Sequence, residues 1–262
     1  MRALGIASTG MLAQQLNVDV ISNNIANLST TGFKRSRAEF QDLIYDSIRR
    51  VGSPSSDTGT LLPSGLQVGL GVNPVATYRI NEQGAPTLTS NPYDLAIRGR
   101  GYFQVQRPDG TTAYTRDGSF QLNADGQLVT ADGMPVLPSI NVPQNATSVT
   151  INSSGQVTVT SDGQTQTQIL GQLQLATFAN PAGLEALGSN LLVETDASGA
   201  PVVGNPQAAG FGNVLQNALE SSNVNIVSEI TTLITAQRAY EMNSRVIKTA
   251  DEMLSTTSQL KG

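Results

Sequence analysis

The chain of 262 residues contains no cysteine, no histidine and no tryptophan. Without cysteine there is no disulfide framework, and without cysteine and histidine the usual structural zinc ligands are missing. No reaction can rest on a histidine base or a cysteine nucleophile, which closes the commonest routes to catalysis. Charged residues are sparse at 13%, and their formal sum is −5. A chain of that sign is repelled by phosphates, so nucleic acid is not an expected partner. No stretch approaches the roughly 20 apolar residues of a membrane helix, so no membrane insertion is expected. Nor is a cleaved signal: the first apolar run is broken by Gln14, Gln15, Asn17 and Asp19, and no small-residue cleavage site follows it. Composition alone reads as cytoplasmic.

Glycine and proline are missing selectively. All 12 prolines fall between Pro54 and Pro206, and glycine is absent from Met11 to Thr31 and again from Asn213 to Lys261. These residues punctuate regular structure, so the two ends are free to be helical and the middle is cut into short pieces. The expected class is α+β, with paired terminal coiled-coil helices and a central antiparallel β domain. Residues 1–32 with 213–262 form the helical part, 33–74 a short helix and an extended arm, and 75–212 the β domain.

At the N-terminus Leu4, Ala7, Met11, Gln14, Val18, Ile21, Ile25 and Leu28 alternate three- and four-residue spacings, the seam of a coiled coil. At the other end Ile226, Leu233, Tyr240, Ile247 and Leu254 recur at every seventh residue, widened by Ile230, Ala236 and Ala250. Five large apolar side chains contribute on the order of 10 kcal/mol when buried. Ordering such a helix costs about 1–2 kcal/mol per residue in backbone entropy, so each helix needs a partner, and the other terminal helix is the nearest. Asn23, Asn24 and Asn27 are poor helix formers beside these seams, because amides compete for backbone groups. Such amides suit a helix surrounded by other helices, where they fix register and neighbour choice.

After Leu28 the run "STTGFKR" reads as a helix stop with Gly32 as its left-handed cap. Lys34, Arg35, Arg37, Arg49 and Arg50 are small basic clusters, read as a solvated or ion-paired face. "AEFQDLIYDSIRR", Ala38 to Arg50, reads as a short amphipathic helix. Val51 to Val72 has no helical period, yet Leu61, Leu62, Leu66, Val68, Leu70 and Val72 are too apolar for a solvated tether. An arm lying on a surface, hairpin-like, fits better. From Val75 to Ala209 period-two stretches such as "GYFQVQ" alternate with the pairs Asp109–Gly110, Asp117–Gly118, Asp125–Gly126, Asp132–Gly133 and Asp162–Gly163, which favour tight hairpins. "QLNADGQLVTAD" has Gln and Asp where a calcium loop needs Asp and a bidentate Glu, and reads as a hairpin. No metal, cofactor or catalytic constellation stands out.

Three long motifs carry a family resemblance. "STGMLAQQLNVDVISNNIANLSTTGFKRSRAEFQDLIY" resembles the N-terminal signature of bacterial flagellar rod and hook proteins. "YDLAIRGRGYFQV" with "YTRDGSFQLNADGQLVTADG" is similar to the opening of their β domain, and "ESSNVNIVSEITTLITAQRAYEMNSRVIKTADEML" to their C-terminal signature. Length and the arm "GTLLPSGLQVGLGVNPVATYR" are most similar to the distal-rod branch, with the larger proximal-rod subunit as rival. Outside the family, the alternative is a β-rich adhesin on a coiled-coil stalk.

The resemblance implies a structural subunit and no enzyme. Copies would stack helically into a hollow, rigid shaft carrying torque from motor to hook, terminal helices inside and β domain outside. The implied partners are further copies, the proximal rod and hook, the rings around the rod, and the flagellar type III export apparatus. Export without a cleaved signal, to a rod crossing the periplasm, would override the cytoplasmic reading. The implied interface sets Leu4, Met11, Val18, Ile21, Ile25 and Leu28 against Ile226, Ile230, Leu233, Tyr240, Ile247 and Leu254. Asn23, Asn24 and Asn27 would serve contacts between copies, and Leu61, Leu62, Pro63, Gly65, Leu66, Val68 and Leu70 the bridging arm.

Overall fold

The computed structural model describes residues 2–50, 64–161 and 167–259. Helix α1 spans Arg2–Ala26 and helix α2 Ile226–Gln259, with antiparallel strands between them. The chain divides into two compact units. One comprises Met1–Ile25, Ser36–Tyr78 and Asn225–Gly262, and the other Ala26–Arg35 with Arg79–Val224.

In the helical unit α2 begins at a cap that its sequence encodes: Asn225 Oδ1 accepts from the backbone N–H groups of Val227 at 3.1 Å and Ser228 at 3.2 Å, satisfying donors that a helix start leaves orphaned. The expected short helix over 38–50 is instead two strands. Ser36–Asp42 pairs with Val72–Arg79, and Tyr45–Arg49 pairs with Leu66–Gly69. The segment "SRAEFQD" buries Ala38 and half-buries Phe40, a period-two pattern, and strand partners from beyond Gly65 decide in its favour. Leu61, Leu62 and Pro63 lie outside the described residues. The stretch 213–224, expected with the helices, belongs to the β unit. Asn213–Gln216 pairs with Leu95–Arg98, and Ala218–Glu220 with Pro86–Leu88.

The β unit is built on a sheet of seven antiparallel strands. Their order is Glu185–Gly188, Leu191–Val193, Thr112–Thr115, Tyr102–Gln106, Leu175–Thr177 and Val202–Gly204, with Val136–Leu137 also beside Tyr102–Gln106. A second sheet joins Ala146–Ile151, Gln156–Ser161 and Gln168–Gln172. The core gathers Leu95, Ile97, Phe103, Val105, Phe120, Leu175 and Val214, and Phe103 meets Phe120 edge to face at 5.1 Å. Gly110, Gly126 and Gly133 take the positive φ their hairpins require. Gly118 does not. It serves close approach instead, because a Cβ there would lie 1.6 Å from the Leu95 carbonyl oxygen. Gln121 to Asp132 forms the hairpin expected of it, with Gln121–Leu122 paired to Leu128–Val129. Asp162–Gly163 lies outside the described residues.

Candidate subunit interface

Two contacts fix how the terminal helices meet. A Cβ on Gly10 would come within 2.8 Å of Asn243 Nδ2, and Asn24 Nδ2 donates to Glu229 Oε2 at 3.2 Å. Going from Gly10 to Asn24 advances two heptads along α1 while the partner steps back two heptads along α2, so the helices run antiparallel in register. The face of α1 turned inward holds Ala7, Ala13, Ile21 and Asn24, and that of α2 holds Glu229, Ala236 and Ala250. Small side chains let helix backbones approach closely.

The inward faces keep Ala7, Ile21, Ala236 and Ala250 of the stripes read from the sequence, while most of their larger members lie to one side. Leu4, Met11, Val18, Ile25 and Leu28 are half-buried, as are Leu233 and Ile247. Ile226, Ile230, Tyr240 and Leu254 are exposed by 41–43%, and Val227, Ile234, Met242, Val246 and Met253 by 45–71%. Periodicity locates a stripe without saying what covers it. Asn24 also departs from expectation. Its amide donates to the Ser36 carbonyl at 2.9 Å and accepts from the Ser36 N–H at 2.8 Å, so it is a buried pin within its own chain rather than a spare contact. Asn23 is exposed and Asn27 half-buried, with Asn27 Oδ1 accepting from the Thr30 hydroxyl at 3.0 Å.

The described part of the arm is a hairpin with an apolar surface. Ile44 is exposed by 80%, Tyr45 by 53%, Ile48 by 52%, Leu66 by 52% and Leu70 by 39%, while Gly65 and Val68 are half-buried. Its base rests on α1. Thr9 Oγ1 accepts from the Val72 N–H at 3.3 Å, Gly71 lies so close that a Cβ would meet that oxygen at 2.2 Å, and Arg2 pairs with Asp46 at 2.5 Å.

Large exposed apolar residues thus lie along α2 and on the arm hairpin, the kind of surface that marks an interaction site where it is contiguous. Known proteins say what company such surfaces keep. Residues 4–34 match the model of flagella basal body rod proteins, 96–159 the D1 domain of the flagellar hook proteins FlgE/F/G, and 215–260 the C-terminal region of flagellar basal body rod FlgEFG proteins. The flagellar basal-body rod protein FlgG of Caulobacter vibrioides is 60% identical over 100% of both chains. FlgG of Agrobacterium fabrum is 54% identical over 99% of both, and FlgG of Bacillus subtilis 40% identical over 100% of this chain and 99% of its own. The chain belongs to the FlgG family of distal-rod proteins. It is a structural subunit of the flagellar basal body, in a family of axial proteins that associate with their own kind.

Of the three matched regions of this FlgG-family chain, the first covers α1 and the turn after it, and the last covers α2. In that turn sits one end of a buried charge node. Lys34, read as part of a solvated or ion-paired basic cluster, is ion-paired and buried in the β unit, where its Nζ meets Glu220 Oε1 at 2.5 Å. Arg116 Nε meets the other oxygen, Glu220 Oε2, at 2.8 Å, and Gly84 N–H donates to Oε1 at 3.0 Å. Burial holds the Lys34 ammonium below its usual pKa, opposed by its bond to Glu220. The partners lie 186 and 104 residues apart, a separation no local pattern can report.

Proposed function

We propose that copies of this chain stack helically into a hollow, rigid shaft, the distal rod, that carries torque from the motor to the hook. The outer stripe of α2 and the apolar hairpin would supply contacts between copies, and Asn23 and Asn27 would add polar ones. The reading is carried by one observation: Ile226, Ile230, Ile234, Tyr240 and Val246 stay 42–46% exposed after α1 and α2 have paired. Covering what remains exposed gains somewhat under half of the about 1.5–3 kcal/mol that full burial of such a side chain contributes, which favours addition of another copy, and an open-ended array repeats that gain at each step.

The proximal rod and the hook would continue the array at its ends, and the surrounding rings would meet its β units. Passage to a rod crossing the periplasm would use the flagellar type III export apparatus without a cleaved signal. The helical parts at residues 1–32 and 213–262, the arm at 33–74 and the β part at 75–212 would form inner wall, bridge and outer layer; in that scheme 213–224 goes with the outer layer, being strand. The purified chain, concentrated and viewed by electron microscopy, should form tubes of constant width. Ile230→Asp should leave a folded monomer that forms none. Tubes from that variant as readily as from the parent would remove α2 from the interface.

A further inference from the structure

The β unit holds a hollow of about 300 Å³ lined by Lys34, Gln83, Arg100, Tyr102, Arg116 and Phe178 among others, none of them acidic. That volume is at the lower end of those that hold ligands. The carboxylate behind it, Glu220, is shared by two cations, Lys34 and Arg116, which leaves one positive charge without a counter-charge. Arg79, donating to the Leu184 carbonyl, adds a second beside Tyr102. Glu82 lends Lys34 its carbonyl oxygen at 2.7 Å, and its carboxylate is in no ion pair among the described residues. Arg100 is exposed at the mouth with no ion pair among the described residues, and an adjoining hollow adds Arg98. Arg116 gives Nε to Glu220 and its two terminal nitrogens to the carbonyls of Gly101 and Gly99. One N–H on each terminal nitrogen is uncommitted among the described residues. Burial holds the Lys34 pKa down, Glu220 opposes it, and Arg116 adds a smaller lowering.

We propose that this hollow is a carboxylate-binding site, filled in the assembled rod by an aspartate or glutamate side chain of a second copy of the chain. The Arg100 fork takes the carboxylate, and the aromatic wall of Tyr102 and Phe178, edge to face at 6.0 Å, takes its aliphatic stem. Charge complementarity names the occupant. The chain has 15 basic and 20 acidic residues, and Lys34, Arg79, Arg98, Arg100 and Arg116 gather here. Among its charged side chains another copy offers about four carboxylates for every three cations. The occupant rests on the self-assembly reading, but the site itself does not.

The full-length chain, dilute and monomeric, is titrated at constant ionic strength with N-acetylglutamate α-amide, its glutamine counterpart and sulfate, while the amides of Gly99 to Tyr102 are followed by NMR. Saturable shifts with the glutamate derivative alone, a rise in the Lys34 pKa, and about tenfold weaker binding in Arg100→Gln are expected. No saturable shift, or an equal response to the glutamine derivative or sulfate, overturns the site. In polymerising solutions Arg100→Glu should slow growth while the monomer unfolds at the parent's midpoint. Unchanged growth overturns the second copy as occupant. Ile230→Asp, which tests assembly through α2, should leave glutamate binding intact, so loss of the polymer reading is separable from loss of this one.

Discussion

Replacing Glu220 by alanine takes away the one carboxylate between Lys34 and Arg116 and leaves two buried cations facing each other, with the Gly84 N–H orphaned as well. Breaking a buried ion pair by removing one partner costs about 3–5 kcal/mol, because the remaining charge is desolvated without compensation. For a β unit of this size that lowers Tm by roughly 10 °C. Glu220→Gln, which keeps the shape and one acceptor oxygen, should lie between parent and alanine variant. Glu194→Gln, which alters a hydrogen bond at the less buried Tyr114–Glu194 contact, serves as the control and should cost about 1 kcal/mol or less. Urea unfolding followed by far-UV circular dichroism measures all three. If Glu220→Ala falls within about 1 kcal/mol of the parent, as tolerated exposed pairs do, the node contributes nothing as a buried charge network and the reasoning is wrong.

Other substitutions probe separate features. Gly118→Ala places a Cβ 1.6 Å from a backbone oxygen and should cost about 2–4 kcal/mol in urea unfolding, as overpacking of a rigid core does. Asn24→Leu removes both bonds to Ser36 and should destabilise the paired helices by about 1–3 kcal/mol, read as faster amide exchange in α1. Tyr114 is pushed up to about 12, mainly by burial and then by Glu194. A folded-state pKa above the unfolded one gives stability that is complete below about pH 10 and is lost as pH rises towards 12. Lys34, with its pKa lowered, works in the opposite sense, so the prediction is for the difference: Tyr114→Phe should lose less stability than the parent over that range.

The two helices were legible because proline is absent from both, and glycine from α2 and from α1 beyond Gly10, although the helical stretch expected from 213 begins only at Ile226. The hairpins at Gly110, Gly126 and Gly133 were legible for the same local reason. The identical-looking pair at Asp117–Gly118 was not, since its glycine answers to Leu95 across the sheet and not to its neighbours in sequence. Residues 38–50 fit both periods over too short a span, and pairing with strands beyond Gly65 settled the matter. Heptad spacing marked real stripes on both helices, but which stripe meets the sister helix depended on the close approach at Gly10, where an absent side chain is the signal. The ion pairing of Lys34 was one of the two readings its sequence allowed, but its burial and its partner Glu220 were not legible, because the fold sets them.

The lacing between residues just after α1 and just before α2 bears on mechanical load. Gly32 N–H donates to the Glu220 carbonyl at 2.8 Å, Asn223 N–H to that of Phe33 at 3.4 Å, and Arg35 N–H to Asn223 Oδ1 at 2.8 Å. A pull on either covalent strand is shared by the other before it reaches the sheet, and neither can be drawn out until these rungs part together. Such a double-stranded root resists creep under sustained twisting better than a single flexible leash would, because rungs that yield only in concert give cooperative resistance.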